Sequence, residues 1–319
     1  MSPSIPFNPS NAPKLREARP PSRRTALAWG AGAALAVGLP ASGSAYASTL
    51  DGAGALSHRL EALERRYSAR LGVYACDTAT GRSLRYRATE RFPLCSVFKT
   101  LAVAAVLRDL DRDGAFLARR IRYTEQDVTS AGYAPVTGKP ENLAGGMTVE
   151  ELCSVAVRYS DNAAANLLLR ELGGPGAVTR FCRSIGDGVT RLDRWEPELN
   201  SAEPWRTTDT TTPYAIGQSY ARLTLGTALV HGDRERLTGW LLANTTGSAK
   251  LRAGLPADWA VAEKTGGGKY GTSNDVGIAW PPDRAPLVIS VLTTRQAPDG
   301  PADDRLIAET ATLLASLLG

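Results

Sequence analysis

Ser96 and Lys99 stand three residues apart in Phe92–Pro93–Leu94–Cys95–Ser96–Val97–Phe98–Lys99, at the head of an apolar run. That run, Thr100 to Leu107, has no breaker and reads as a buried helix, with Pro93 suited to its entry. Residues i and i+3 of a helix share a face, so the Lys99 ammonium can reach the Ser96 hydroxyl. The unpaired N–H groups of a helix start favour negative charge. A serine there, beside a lysine, is a candidate activated nucleophile with part of an oxyanion hole attached. The competing reading is an ordinary exposed helix start, because the spacing is common by chance.

Three further stretches carry polar groups. In Tyr159–Ser160–Asp161–Asn162, between two helical patterns, a short turn can aim Ser160 and Asn162 the same way; the same residues also suit a helix N-cap. Arg194–Trp195–Glu196–Pro197–Glu198–Leu199–Asn200, continuing to Asp209, reads as a compact surface loop that an Arg194–Asp209 pair can close. A cis bond is available at Glu196–Pro197, and the plain alternative is a solvated acidic loop. Lys264–Thr265–Gly266–Gly267–Gly268 ends a strand, where a lysine, a threonine and bare backbone can hold an anion; a β-turn accounts for the glycines equally well. Lys269 is not followed by Ser or Thr, so the phosphate-loop reading fails.

The elements that must position these groups follow from the pattern. Helices are expected over 53–70, from Ser96 onward, and over 148–158, 163–172, 175–185, 213–244 and 302–318, with 110–147 rich in loops. Strands are expected over 71–77, 83–88, 259–265, 275–281 and 287–294. Strands at both ends and helices between predict an α/β (α+β) fold. In it a mostly antiparallel sheet, flanked by helices, is interrupted by an inserted all-helical part, with a cleft between the two.

Composition removes several classes. The 319 residues are 43% hydrophobic and 22% charged, ordinary for a globular chain. Two histidines, His58 and His231, and four cysteines form no cluster of zinc-ligand spacing, so no metal and no cofactor is expected; both histidines read as surface residues. Of the formal +5, a net +4 lies within residues 1–47, so the remainder gives no footprint for nucleic acid. Arg23–Arg24 before a mild apolar run, and Ala45–Tyr46–Ala47 after it, read as a twin-arginine export leader over 1–47, cleaved to leave no stable membrane anchor. The run is too short for a comfortable membrane span. Secretion, or a periplasmic location if the source has an outer membrane, permits disulfides, but four free and mostly buried thiols are expected.

Ser-x-x-Lys, Ser-Asp-Asn and Lys-Thr-Gly, in that order, resemble the penicillin-recognising serine enzymes. The Glu-Pro-Glu-Leu-Asn loop is similar to the class A β-lactamases specifically, and the resemblance covers roughly residues 50–319. It implies the β-lactamase/transpeptidase-like fold and a serine catalytic region over 48–319, with α/β parts at about 50–90 and 245–319 and a helical part at 91–244. It implies hydrolysis of a small-molecule β-lactam, penicillins and also cephalosporins, by a monomer that confers antibiotic resistance. Ser96 would attack the ring carbonyl and Lys99 would help to deprotonate it, with the N–H groups of Ser96 and Gly267 as oxyanion hole. Ser160 would relay a proton to the ring nitrogen. Lys264 and Thr265, with Gly266 beside them, would bind the substrate carboxylate. Asn162 would hold the acylamino side chain, Tyr133 would wall the cleft, Glu196 and Asn200 would position the hydrolytic water, and Asn166 would brace their loop. The base for acylation stays open between Glu196 and Lys99.

The chain also departs from the family. The two positions at which relatives place a carboxylate-binding arginine align with Lys250 and Ser273. The partner that carbapenem-hydrolysing relatives give to the cysteine before the nucleophile aligns with Gly268, and Cys153 faces what aligns as Val103. The resemblance therefore disfavours a carbapenemase. Its alternatives are a D-alanyl-D-alanine peptidase or penicillin-binding protein, which lacks the deacylating glutamate, and a non-catalytic β-lactam sensor domain.

Overall fold

The computed structural model describes the chain from Gly43 to Leu318. The expected leader lies outside the described residues except at its end, where helix α1 (Gly43–Tyr67) begins earlier than expected. Strands β1 (Arg70–Asp77) and β2 (Ser83–Tyr86) follow. The middle of the chain holds α2 (Phe98–Ala105), α3 (Val149–Arg158), α4 (Asn162–Glu171), α5 (Pro213–Thr224) and α6 (His231–Leu242). Strands β3 (Ala260–Gly268), β4 (Thr272–Trp280) and β5 (Leu287–Thr294) return to the sheet, and α7 (Asp304–Leu318) follows them.

The five strands form one antiparallel sheet in the order β2-β1-β5-β4-β3, so the expected sheet with flanking helices is found. Its alternation separates two cores. Leu71, Val73, Ala75, Val261, Ile289 and Val291 pack against Leu60 of α1 and Ile307 and Leu314 of α7. Tyr74, Ala262, Val276, Ile278, Val288 and Leu292 join the larger core with Ile216 and Tyr220 of α5 and Leu101 of α2. Every residue of α2 is buried, as its unbroken apolar run requires.

Three expectations need correction. The stretch 110–147 contains short helices at Ala115–Ala118, Glu125–Ala131 and Pro140–Gly145, too brief to show a periodicity. The stretch 213–244 is two helices, not one, separated by a turn at 225–230 that includes Gly226. Ser96 lies in a 3-10 turn, Cys95–Val97, that precedes α2.

Candidate active site

The turn that carries Ser96 is held from behind. Tyr220 donates to the Val97 carbonyl at 2.9 Å and shares a hydrogen bond with Thr100 Oγ1 at 2.8 Å, and Asn274 Nδ2 donates to the carbonyls of Pro93 (2.9 Å) and Leu94 (3.3 Å). Neither brace stood out in the sequence. Cys95 takes φ +46°, a left-handed conformation that is costly for a residue with a Cβ.

Lys99 is fully buried. Its Nζ donates to Asn162 Oδ1 at 2.6 Å and to the Ser160 carbonyl at 2.7 Å, and lies 3.1 Å from Glu196 Oε1 and 3.4 Å from Ser160 Oγ. The Ser96 hydroxyl donates to the same Glu196 Oε1 at 3.2 Å. The direct Ser96–Lys99 bond expected from the i, i+3 spacing is absent among the described contacts; the two groups meet at the glutamate. Burial lowers the Lys99 pKa, and the adjoining Glu196 carboxylate opposes that fall.

The turn between α3 and α4 resolves the choice between cap and site. Asp161 takes the cap: Oδ1 accepts from Ala164 N (2.9 Å) and Thr137 Oγ1 (2.8 Å), and Oδ2 from the N–H groups of Val136 (3.0 Å) and Thr137 (2.9 Å). Its neighbours are thereby free to turn inward. Ser160, at φ +57°, places its hydroxyl 3.0 Å from Lys264 Nζ. Both polar atoms of the Asn162 side chain are engaged, Oδ1 with Lys99 and Nδ2 with the Ala131 carbonyl at 3.0 Å. The Asn162 N–H ties down the Tyr133 carbonyl at 2.8 Å, while the rest of Tyr133 stays 56% exposed.

The loop from Arg194 to Asp209 has its ends together. Asp209 accepts Arg194 Nε at 2.5 Å and the N–H groups of Asp193 and Arg194 at 2.8 and 3.0 Å. Asn166 grips the Glu196 backbone at both polar atoms, 3.0 Å from its N–H and 2.9 Å from its carbonyl. The Glu196–Pro197 bond is cis, and Asn200 Nδ2 donates to Glu196 Oε2. Behind the loop lies a cavity of about 520 Å³, lined by Asn166, Leu167, Arg170, Trp195 and Glu196.

Strand β3 closes the other side. Lys264, fully buried, donates to Ser160 Oγ and, at 2.8 Å, to the Thr265 carbonyl. Burial holds its ammonium well below the ordinary lysine range, and the Lys99 cation pushes the same way. Thr265 Oγ1 bonds Thr246 Oγ1, a contact with no sequence signal. Gly266 runs beside the nucleophile: a Cβ there would come within 3.3 Å of the Ser96 nitrogen. A Cβ on Gly267 would meet only Thr272 O at 3.8 Å, whereas one on Gly268 would stand 2.8 Å from Asn200 O and 2.9 Å from Cys95 Sγ.

Lys250 and Ser273, the positions aligned with the missing arginine, meet: Lys250 Nζ donates to Ser273 Oγ at 2.7 Å and lies 3.3 Å from Asp304 Oδ1. The cysteines are free; Cys95, Cys153 and Cys182 are buried and Cys76 is partly so. His58 and His231 lie on the surface, with side chains 84% and 67% exposed. Serine, lysine and carboxylate in contact can make and then break an ester, with hydroxyl and ammonium groups beside them to move protons and hold an anion.

Residues 55–318 match the Beta-lactamase enzyme family. The chain is 67% identical over 299 residues to a β-lactamase of Streptomyces lavendulae, covering 94% of this chain and 98% of that protein. Among solved structures, the β-lactamase of Streptomyces albus G is similar with a TM-score of 0.82 and 64% identity, over 83% of this chain and all of that one. An ancestral class A β-lactamase is similar with a TM-score of 0.78 and 53% identity, over 82% of this chain and 99% of that one.

Proposed function

The chain belongs to the β-lactamase enzyme family, and on that premise we propose that it hydrolyses the ring of penicillins and cephalosporins in two steps through an ester on Ser96. The observation that carries this reading is the meeting of Ser96 and Lys99 at one oxygen, Glu196 Oε1, at 3.2 and 3.1 Å.

In the first step Ser96 Oγ attacks the lactam carbonyl. Its proton leaves toward Glu196, the group it already faces, and the Lys99 ammonium steadies the carboxylate as the charge moves. The N–H groups of Ser96 and Gly267 receive the oxyanion; one such donor contributes on the order of 3 kcal/mol to the transition state. The ring C–N bond breaks and the nitrogen takes a proton from Ser160, which regains one from the protonated Glu196 through Lys99, 3.1 Å from Glu196 Oε1 and 3.4 Å from Ser160 Oγ, so that Glu196 is a carboxylate again; Lys264 stands 3.0 Å from the same hydroxyl. Lys264 and Thr265 hold the substrate carboxylate beside Gly266. Asn162 and Tyr133 line the path of the acylamino side chain.

In the second step water displaces the serine. A water seated between Glu196 and Asn200 loses its proton to the restored carboxylate and attacks the ester, and Ser96 Oγ takes that proton from Glu196 as its bond to the acyl group breaks. Asn166, which fixes the Glu196 backbone on both sides, positions that base. A peptidase or sensor of the same family stops at the ester, so the buried glutamate beside the nucleophile favours the hydrolase.

Two variants test the steps apart. Ser96→Ala should abolish nitrocefin turnover, and appreciable residual hydrolysis would overturn the nucleophile assignment. Glu196→Ala should slow turnover by roughly 100-fold or more and let an adduct with penicillin accumulate, visible by intact mass. Turnover at the parent rate, with no adduct, would remove the water-activating role.

We further read residues 1–47 as a twin-arginine leader and 48–319 as the catalytic region of a secreted monomer with no nucleic-acid partner. Among the described residues no helix is long and apolar enough to cross a membrane. N-terminal sequencing of the exported protein tests the cleavage after Ala47.

A further inference from the structure

Two acids lie behind Lys264. Glu263 precedes it on β3, and Asp275 on β4 stands opposite Thr265, diagonal to Glu263 on the same face of the sheet. Both side chains are fully buried. Asp275 accepts one hydrogen bond, from the Leu251 N–H to Oδ2 at 3.1 Å. Its Oδ1 and both carboxyl oxygens of Glu263 have no donor. Arg252 Nε approaches Glu263 Oε1 to 3.0 Å but out of line, while its terminal nitrogens serve the carbonyls of Asn244, Leu241, Leu242 and Val261. The Gly247 backbone seals the remaining side, since a Cβ there would stand 1.7 Å from Glu263 Oε1. Buried oxygens without donors are costly, and two adjacent buried carboxylates do not both stay ionised. One proton between the two carboxyls supplies the missing donor.

The surroundings say where that proton rests. Burial pushes both acids up. For Glu263 the Asp275 charge adds to burial and takes it to about 10, with Arg252 and Lys250 opposing. The contacts that favour an anion, from Glu263 itself, Lys250, the Leu251 N–H and Lys264, fall on Asp275. Lys264 for its part touches only neutral oxygens, those of Ser160 and Thr265. Against its burial and the repulsion of Lys99 and Lys250, Asp275 is the foremost group holding its charge in place, with Glu196 contributing less.

We propose that Glu263 and Asp275 share one proton, so that the pair carries a single negative charge, and that this charge keeps Lys264 cationic for the substrate carboxylate. Glu263 and Asp275 are positioning residues, acting through Lys264 without touching substrate. The proposal rests on the reading of Lys264 as the cation that receives the substrate.

Infrared spectroscopy of the resting enzyme and pH profiles of its variants test it. The parent should show a protonated-carboxyl band at neutral pH that Glu263→Gln removes. That variant replaces the shared proton with an amide N–H and leaves the charge on Asp275, so its alkaline limb of kcat/KM should not move. Glu263→Gln with Asp275→Asn removes the charge, and should shift that limb down by about one pH unit or more while raising KM more than kcat changes. If the double variant does not fold, Asp275→Asn alone moves the charge away from Lys264 and should shift the limb the same way by less. A parent without the infrared band, or charge-depleted variants with the parent's limb, would overturn the proposal. Failure of the parent to hydrolyse any β-lactam would instead sink the functional reading and leave the infrared result standing.

Discussion

Glu196 Oε1 faces a hydroxyl on one side and an ammonium on the other, so what happens at Ser96 depends on buried cations whose pKa values burial has lowered. Lys264 shows this in a form that pH can read. Burial lowers its pKa, so it loses its proton earlier, as pH rises, than a surface lysine does. The kcat/KM for a carboxylate-bearing penicillin should therefore decline on the alkaline side below the ordinary lysine value of 10.5, and Lys264→Arg, which stays protonated, should move that decline upward. A limb at or above 10.5 in the parent would assign it to another group. Adjacent glycines make a second prediction at this scale. Gly267→Ala makes only an ordinary van der Waals contact with Thr272 O, at 3.8 Å, and should keep the parent's stability within about 1 kcal/mol, read from its Tm. Gly268→Ala forces Asn200 and Cys95 apart and should cost about 1–3 kcal/mol, with slowed deacylation because Asn200 moves. Equal thermal and kinetic effects of the two would contradict this geometry.

At the scale of elements, the turn before α4 shows what a sequence can and cannot tell. Ser160, Asp161 and Asn162 are all good caps, and no pattern says which one caps; the structure gives the task to Asp161 because Val136 and Thr137 bring three more donors to it. Asp161→Ala should cost about 3 kcal/mol, more than an exposed cap, and should also depress kcat by misplacing Ser160. Chemical denaturation with a parallel steady-state assay checks both, and a stability loss with kcat unchanged would free Ser160 from dependence on the cap. The loop closure was legible, since Arg194 and Asp209 flank a proline-containing stretch without regular pattern. The meeting of Ser96 with Glu196, in place of Lys99, was not. It depends on a 3-10 turn and on the reach of a loop a hundred residues away, and neither leaves a local signal. Glu263 was missed for a related reason, because an acid adjoining a recognised motif reads as solvent-facing until the opposite strand is known.

For the whole molecule, the layered arrangement was legible from strands at both ends and helices between, while the partition of the sheet into two cores required the register. That partition separates stability from activity. Leu60 of α1 belongs to the core on the face away from Ser96, so Leu60→Ala should cost about 2–5 kcal/mol and lower Tm, yet leave turnover per correctly folded enzyme unchanged. Active-site titration beside thermal unfolding distinguishes the two, and a fall in turnover per titrated site would show that the cores are coupled. The sheet order has a further consequence. β5 lies between β1 and β4, so the last strand in the chain joins the first pair of strands to the pair that carries Lys264. A ribosome that has delivered everything up to Trp280 has made two unconnected hairpins, and no lactam can yet be opened. The sheet closes only once β5 has left the ribosome, and a copy without it is a client for chaperones and not a working catalyst.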